Sequence, residues 1–275
     1  MRKARLKKSQ DNGPTLADRA DKHVLYEASV QCTEAEVDFV DETFETLRGR
    51  QAAIIREDFC GTANTSCEWI RRRATNRAIG VDLDAEVQQW GREHHIAKLD
   101  QSQQARIELI QADVMAVETE PVDAVLAMNF SYWIFKERET LIRYFRRIHG
   151  ALVDDGILFM DCFGGYEAFE ELKEERKYKG FTYVWHQAKY NPVTGDYRCK
   201  IHFKFKDGSR LKNAFVYDWR LWTLPELTEM LAEAGFRSSV YWEGSDEDGE
   251  GDGVFTRTTQ GEADAGWIAY IVAEK

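Results

Sequence analysis

The chain has 275 residues, of which 43% are apolar, 12% aromatic and 31% charged, the balance of a globular protein with a sizeable core and not of a disordered or fibrous one. At this length one domain carrying an insertion fits better than two. Thirty-seven Lys and Arg against 48 Asp and Glu leave a net charge of −11, a field that repels polyanions and disfavours non-specific contact with nucleic acid or anionic lipid.

The basic start Met1–Lys8 runs into Ser-Gln-Asp-Asn-Gly-Pro and not into an apolar segment, so it does not read as a secretory signal. Residues 1–20 are expected to be a flexible basic tail. No apolar run approaches the roughly 20 residues that cross a bilayer. The five cysteines (32, 60, 67, 162 and 199) are odd in number and form no CxxC pair, which suits free thiols in a reducing compartment and gives structural zinc no support. A cytoplasmic protein without a metal site is expected.

Residues 33–49 read as a helix, with Thr33 and Glu36 as a capping box, an apolar stripe of Val37, Val40, Phe44 and Leu47, and Gly49 as its stop. Ala52–Phe59 then reads as a strand, Thr65–Arg73 as a helix, Ala78–Asp82 as a strand, and a further helix begins near Ala85. Ile107–Asp113 and Val122–Met128 are strands. The helix that follows sets Leu141, Ile142, Phe145, Ile148 and Leu152 on one face, and Gly156–Asp161 is a fifth strand. Short apolar strands alternating with helices imply a parallel sheet covered on both faces.

At Phe181 the period changes. Tyr197, Cys199, Ile201, Phe203 and Phe205 alternate with Arg198, Lys200, His202, Lys204 and Lys206, a half-buried antiparallel strand. Turns at Asn191-Pro192, Gly195-Asp196 and Asp207-Gly208 make 181–220 a β-meander inserted as a lid on the core of 21–180. Residues 221–275 complete that core: a capping box of Thr223 and Glu226, a stop at Gly235, and strands Arg237–Glu243 and Gly266–Ala273 around an acidic loop, 244–253. Asp246, Asp248 and Glu250 imitate the start of a calcium loop, but its twelfth position is Arg257 where Glu is needed. The Lys and Arg residues of the alternating strand read as a solvated face.

The chemistry sits between the first strand and its helix, in Glu57-Asp58-Phe59-Cys60-Gly61-Thr62-Ala63-Asn64. Ligands of open α/β sheets bind outside the carboxyl ends of the strands at the topological switch point, and small residues there admit a ligand close to the backbone. The segment resembles the first motif of the class I S-adenosylmethionine (SAM)-dependent methyltransferases, an acid followed by G-x-G-x-G. Matched without a gap, Glu57 is the acid, Phe59 and Ala63 replace the outer glycines and Gly61 is the middle one; shifted by one residue, Asp58 becomes the acid. The family's other landmarks follow in order over roughly residues 50–165. Asp82, in Gly80-Val-Asp-Leu-Asp84, stands where the family's carboxylate accepts both ribose hydroxyls. Asp113, followed by Val114, stands where its acid accepts from the adenine amino group, and Asn129 stands near the methionine end. The resemblance therefore implies a doubly wound, mostly parallel seven-stranded α/β sheet, SAM as cofactor, S-adenosylhomocysteine as product, and a cofactor site of Tyr26, Glu57, Asp58, Cys60, Gly61, Thr62, Ala63, Asp82, Leu83, Asp113, Val114 and Asn129. A nicotinamide-dependent dehydrogenase would place a second glycine at the pyrophosphate, which Cys60-Gly-Thr-Ala-Asn64 lacks.

Asn129-Phe130-Ser131-Tyr132 occupies the place where amine-methylating nucleic-acid enzymes carry Asn or Asp, two prolines and an aromatic residue; both prolines are absent. The stretch from Tyr217 to Phe236 is similar to the lid-to-helix junction of methyltransferases acting on amines or amino sugars. Asn129, Tyr132, Tyr217 and Arg220 are accordingly expected to position substrate, Arg220 either by clamping a carboxylate or by pairing with Asp218. Tyr26 and His23 precede the first strand, where this family places a helix over the cofactor. The expected activity is methyl transfer to a small molecule, an amine more than an oxygen, by a chain that is a candidate homodimer without membrane or nucleic-acid partners. An RNA or tRNA methyltransferase and a non-catalytic interaction module of the same fold are the alternatives.

Overall fold

In the computed structural model, residues 13–245 and 251–275 are described. The five predicted parallel strands are β1 (Ile54–Asp58), β2 (Arg77–Asp82), β3 (Ile107–Gln111), β4 (Val122–Ala127) and β5 (Leu152–Gly164). They lie in the order β3-β2-β1-β4-β5, every neighbouring pair parallel. The order reverses between β1 and β4, and a crevice opens at such a point because the connecting helices leave to opposite faces.

Helices α3 (Thr33–Arg48) and α4 (Asn64–Arg72) pack Val37, Val40, Phe44, Trp69 and Ile70 with Ile55, Leu126 and Phe159 of the sheet. A second core joins α6 (Arg138–Ala151) and α7 (Leu224–Glu233) to the sheet through Leu141, Phe145, Ile148, Leu227 and Met230 with Val125, Leu158 and Met160. All of these side chains are buried. The central strand β4 is buried at every position and is apolar except for Asp123, which accepts from the Ala53 and Ile54 amides and pairs with Arg50.

Beyond β5 come β12 (Trp267–Glu274), β10 (Arg237–Ser245) and β11 (Gly251–Thr258), each antiparallel to its neighbour. The sheet thus has eight strands, one more than expected. Strand β11 escapes the sequence because an exposed edge strand buries no face and carries no apolar alternation. The acidic positions Asp246, Asp248 and Glu250 lie outside the described residues.

The antiparallel sheet has four strands, β6 (Lys173–Tyr178), β7 (Phe181–Tyr190), β8 (Asp196–Phe205) and β9 (Arg210–Arg220). It begins before the expected Phe181 because Lys-Glu-Glu-Arg-Lys-Tyr is an exposed charged edge with no pattern to betray it. At the N-terminus, α1 (Leu16–Arg19) and α2 (Lys22–Ser29) are ordered. This corrects the tail expectation for residues 16–19: Thr15 and Asp18 form a capping box, and the Leu16 and Ala17 amides donate to Asp207 and Ser209 of the β8–β9 turn at 2.8 and 3.1 Å. Among the described residues no helix is long and apolar enough to cross a membrane, all five cysteines are unpaired, and no cluster of three His, Cys, Asp or Glu is placed to hold a metal ion.

Candidate functional site

Between β1 and α4 the backbone turns left-handed three times, at Phe59 (φ 58°), Gly61 (φ 51°) and Ala63 (φ 57°). These are the three positions of the gap-free glycine match. Two residues with a Cβ hold a conformation that costs each roughly 1–2 kcal/mol. The surroundings impose it: the Gly61 amide donates to Asp82 Oδ2 (2.8 Å), the Cys60 amide to the Val81 carbonyl (3.0 Å), and the Phe59 ring packs 6.0 Å from Phe135 and 5.9 Å from Tyr144. Gly91, in α5 (Ala85–His94), lets that helix press on the loop, since a Cβ there would lie 2.2 Å from the Thr62 carbonyl oxygen. The Thr62 hydroxyl donates to Glu27 Oε1 at 2.7 Å, and His95 Nε2 meets the same oxygen at 2.7 Å, so α2 is tied down over the loop.

The two candidate motif acids face different surroundings. Asp58 is committed to the core: Arg56 binds it twice, at 2.7 and 3.0 Å, and Tyr144 Oη donates at 2.9 Å. Glu57 accepts from the Ser66 amide (2.9 Å) and the Ser66 hydroxyl at the start of α4, and burial pushes its pKa up to about 8. Two acids missed in the sequence stand with it. Glu36, expected in a capping box with Thr33, turns inward: α3 starts one residue earlier than that box requires, with Cys32 as its N-cap and no side-chain cap. It is buried, takes the Thr65 hydroxyl (3.2 Å) and is pushed up by burial. Asp161, in β5, accepts from the amides of Asn129 (2.7 Å) and Phe130 (2.9 Å), both of which are left-handed, and burial pushes it up to about 7. Asp161 raises Tyr270, as Glu36 does, and Glu36 raises Glu57 and Asp161, so the three share one field. Among the described residues none of the three has a cation partner. A carboxyl buried without a counter-charge keeps its proton to higher pH.

At the end of β2, Asp82 Oδ1 accepts from the Asp84 amide (2.8 Å), so each oxygen holds one N–H and keeps a further lone pair. Leu83 beside it is 70% exposed, a large apolar side chain at the mouth of the crevice. Asp113 is exposed and accepts from the Met115 amide (2.8 Å); Val114 is buried. Cys60 is buried, with its thiol raised by burial.

A cleft of about 660 Å³ opens between the ends of β4 and β5 and the inner face of the antiparallel sheet. Asn129, Phe130, Tyr26, Tyr217, Trp185 and Trp219 line its inner part, and Trp242 and Trp267 its far wall. Among the described residues its charged lining is four carboxylates, Glu167, Glu174, Glu243 and Asp264, with the Arg176 guanidinium. Burial pushes Glu243 up and holds the hydroxyls of Tyr26 and Tyr217 above their usual range. His23 packs on Trp90 (5.1 Å) and Phe215 (5.9 Å) outside this cleft.

Two expected substrate residues do not face the cleft. Tyr132 is fully buried and donates its hydroxyl to the Asp161 carbonyl (2.7 Å), because the short turn Ser131–Ile134 rolls it into the core. Arg220 lies 3.7 Å over the Trp222 ring and donates to the Lys136 carbonyl (3.1 Å) and Glu226 (3.2 Å). Strand alternation decides this: Tyr217 and Trp219 face inward, so Asp218 and Arg220 face out. Asp218 pairs with Lys136 (3.2 Å), not with Arg220.

No family model matches the chain, and no curated protein matches it in sequence. Solved structures do resemble it. One is a SAM-dependent methyltransferase from Clostridium acetobutylicum, 13% identical over 90% of this chain and 96% of that one, with a TM-score of 0.68. A second, SAM-bound amino pentose methyltransferase from Micromonospora echinaspora is 14% identical over 92% and 95%, TM-score 0.65. A sugar N-methyltransferase from a Streptoalloteichus species is 17% identical over 99% of both chains, TM-score 0.63. At these identities the likeness shows a shared fold, the Rossmann-like methyltransferase fold with an added antiparallel sheet.

Proposed function

We propose that the chain is a SAM-dependent methyltransferase acting on a small-molecule amine. The observation that carries this is the group of buried acids Glu36, Glu57 and Asp161 beside the switch point, none of which has a cation partner among the described residues. SAM brings two positive charges, a sulfonium and an ammonium, and a cation placed there offsets the burial of the carboxylates. The left-handed Phe59, Gly61 and Ala63 support the gap-free frame, with Glu57 as the motif acid and Asp58 as its structural neighbour. In this reading Asp82 accepts the two ribose hydroxyls with its remaining lone pairs, exposed Leu83 covers the adenine, and Asp113 takes the adenine amino group. Cys60, Thr62 and Val114 shape the walls, and Tyr26 covers the site from α2.

When bound, SAM would supply an electrophilic methyl carbon on a sulfonium sulfur that leaves as a neutral thioether. The chain's contribution is placement: effective molarities from alignment alone are worth on the order of 7–11 kcal/mol at best. An acidic, aromatic cleft draws in an amine as its cation. Asn129 and the Tyr26 and Tyr217 hydroxyls supply acceptors that hold the N–H groups of the neutral form and aim the lone pair inward. Half-buried Glu243, raised by burial, is suited to take the proton the amine sheds. The amino pentose and sugar N-methyltransferases among the similar structures favour nitrogen. Titration calorimetry with SAM and S-adenosylhomocysteine tests the cofactor, and transfer of labelled methyl from SAM into a metabolite extract tests the acceptor. A folded sample that binds neither ligand refutes the enzyme.

A further inference from the structure

A second hollow of about 430 Å³ adjoins the cleft. The two share a partition of Phe163, Gly164, Tyr166, Ala168, Asp264 and Trp267. The partition is thin by construction. A Cβ at Gly164 would lie 2.2 Å from the Trp267 ring and one at Gly165 2.3 Å from the Ala265 carbonyl oxygen, so only glycine lets the two segments close on each other. The Tyr166 and Glu167 amides bind the carbonyls of Asp264 and Ala265 at 3.2 and 3.0 Å, which fixes the rim common to both spaces.

The chemistry differs on the two sides. Among the described residues the cleft carries four carboxylates, while the side hollow is walled by Leu221, Trp222, Leu224, Pro225 and Ala263, with Asp264 at the partition its single charged group. Tyr166 and Phe169 at its rim are 61% and 47% exposed. Apolar surface left open beside a polar site, with aromatic rings held out to solvent, marks a place where a ligand covers it.

We propose that the acceptor is an amphipathic amine: its nitrogen sits in the acidic cleft and an apolar portion crosses the Tyr166–Trp267 rim into the side hollow. This rests on the amine reading of the cleft and adds the chemical class of the remainder of the substrate. The occupant follows from the continuity of an acidic space with an apolar one, since a molecule complementary to both carries a cation and a hydrocarbon or aromatic body.

The test is calorimetric titration of straight-chain primary amines from four to ten carbons, and of the matching alcohols, into the protein saturated with S-adenosylhomocysteine. Once the chain passes the rim, each added methylene is expected to tighten binding about fourfold until the hollow is filled. Two exposed residues that line the hollow and not the cleft, Ala263 and Phe169, provide the controls. Ala263→Trp fills the space and Phe169→Asp charges its rim, and each should flatten the length dependence while leaving butylamine binding unchanged. Absence of length dependence, or a dependence that survives in Ala263→Trp, overturns the proposal. So does a concentration-dependent dimer in sedimentation that Phe169→Asp dissolves, which would assign the surface to a second copy. If alcohols bind as well as amines with the length dependence intact, the amine reading falls and the apolar compartment stands; failure of S-adenosylhomocysteine to bind rejects the cofactor assignment on its own.

Discussion

Replacing Glu57 with Gln separates the cofactor role of this carboxylate from its structural one. The amide keeps an oxygen to accept from the Ser66 amide and hydroxyl but cannot ionise. In the ligand-free protein Glu57 holds its proton to about pH 8, whereas in the unfolded chain it loses it near the ordinary carboxylate value. Between those limits the native state binds more protons than the unfolded state, so the native state loses stability as pH rises. A rise from 4.5 to about 8 corresponds to a ceiling of about 5 kcal/mol at 1.36 kcal/mol per unit. Coupling to Glu36 and Asp82 lowers what one substitution recovers, and a gain on the order of 2–3 kcal/mol is expected at pH 8.5. Thermal unfolding should therefore show a melting temperature about 4–6 °C above wild type at pH 8.5 and little change at pH 5. SAM affinity should fall by about 10- to 150-fold, the loss of a charged hydrogen bond of roughly 1.5–3 kcal/mol. A variant whose melting temperature follows pH as wild type does, or that binds SAM equally well, refutes Glu57 as the acid facing the cofactor's positive charge.

The neighbouring acid gives the opposite pattern: Asp58→Asn strands the Arg56 guanidinium, 2% exposed, and should cost about 3–5 kcal/mol in denaturant unfolding while SAM affinity stays within about threefold of wild type. Wild-type SAM affinity should strengthen from pH 6 to pH 8.5, because Asp161 and Glu57, raised to about 7 and about 8, must release protons before a cation gains from them; calorimetry in two buffers of different ionisation enthalpy should register that release. Ala63→Gly relieves a left-handed alanine at φ 57° and should stabilise by about 1 kcal/mol or less, a loss instead showing that the methyl's packing outweighs the strain. Tyr132→Phe removes the hydroxyl that donates to the Asp161 carbonyl and should cost about 1 kcal/mol of stability with the acceptor KM unchanged; a raised KM would return Tyr132 to the substrate site.

The buried acids come at the expense of the ligand-free fold, a pattern expected where carboxylates are arranged for a ligand and not for the core. Their placement follows from particular backbone events. Asp161 is the one acid of the buried stretch Gly156–Cys162 of β5, and the left-handed Asn129 and Phe130 turn their amides toward it at the switch point. Glu36 joins from the first turn of α3, where it takes the Thr65 hydroxyl at the start of α4.

The sequence by itself determined what short-range periodicity and fixed spacing encode. The strands β1 to β5, the stops at Gly49 and Gly235, the Thr223–Glu226 capping box and the order of Asp82, Asp113 and Asn129 after successive strands were all legible, because each depends on neighbours within a few residues. The tertiary structure alone decided which way side chains point and what they meet. It sent Tyr132 into the core and Arg220 to the outer face, and separated Glu57 from Asp58 through partners distant in sequence, such as Tyr144. It added the exposed edges β6 and β11, whose charged residues carry no period because neither strand buries a face. It also bent Phe59 and Ala63 into the path of the missing glycines, a conformation that local preference opposes and only the packing around the loop maintains.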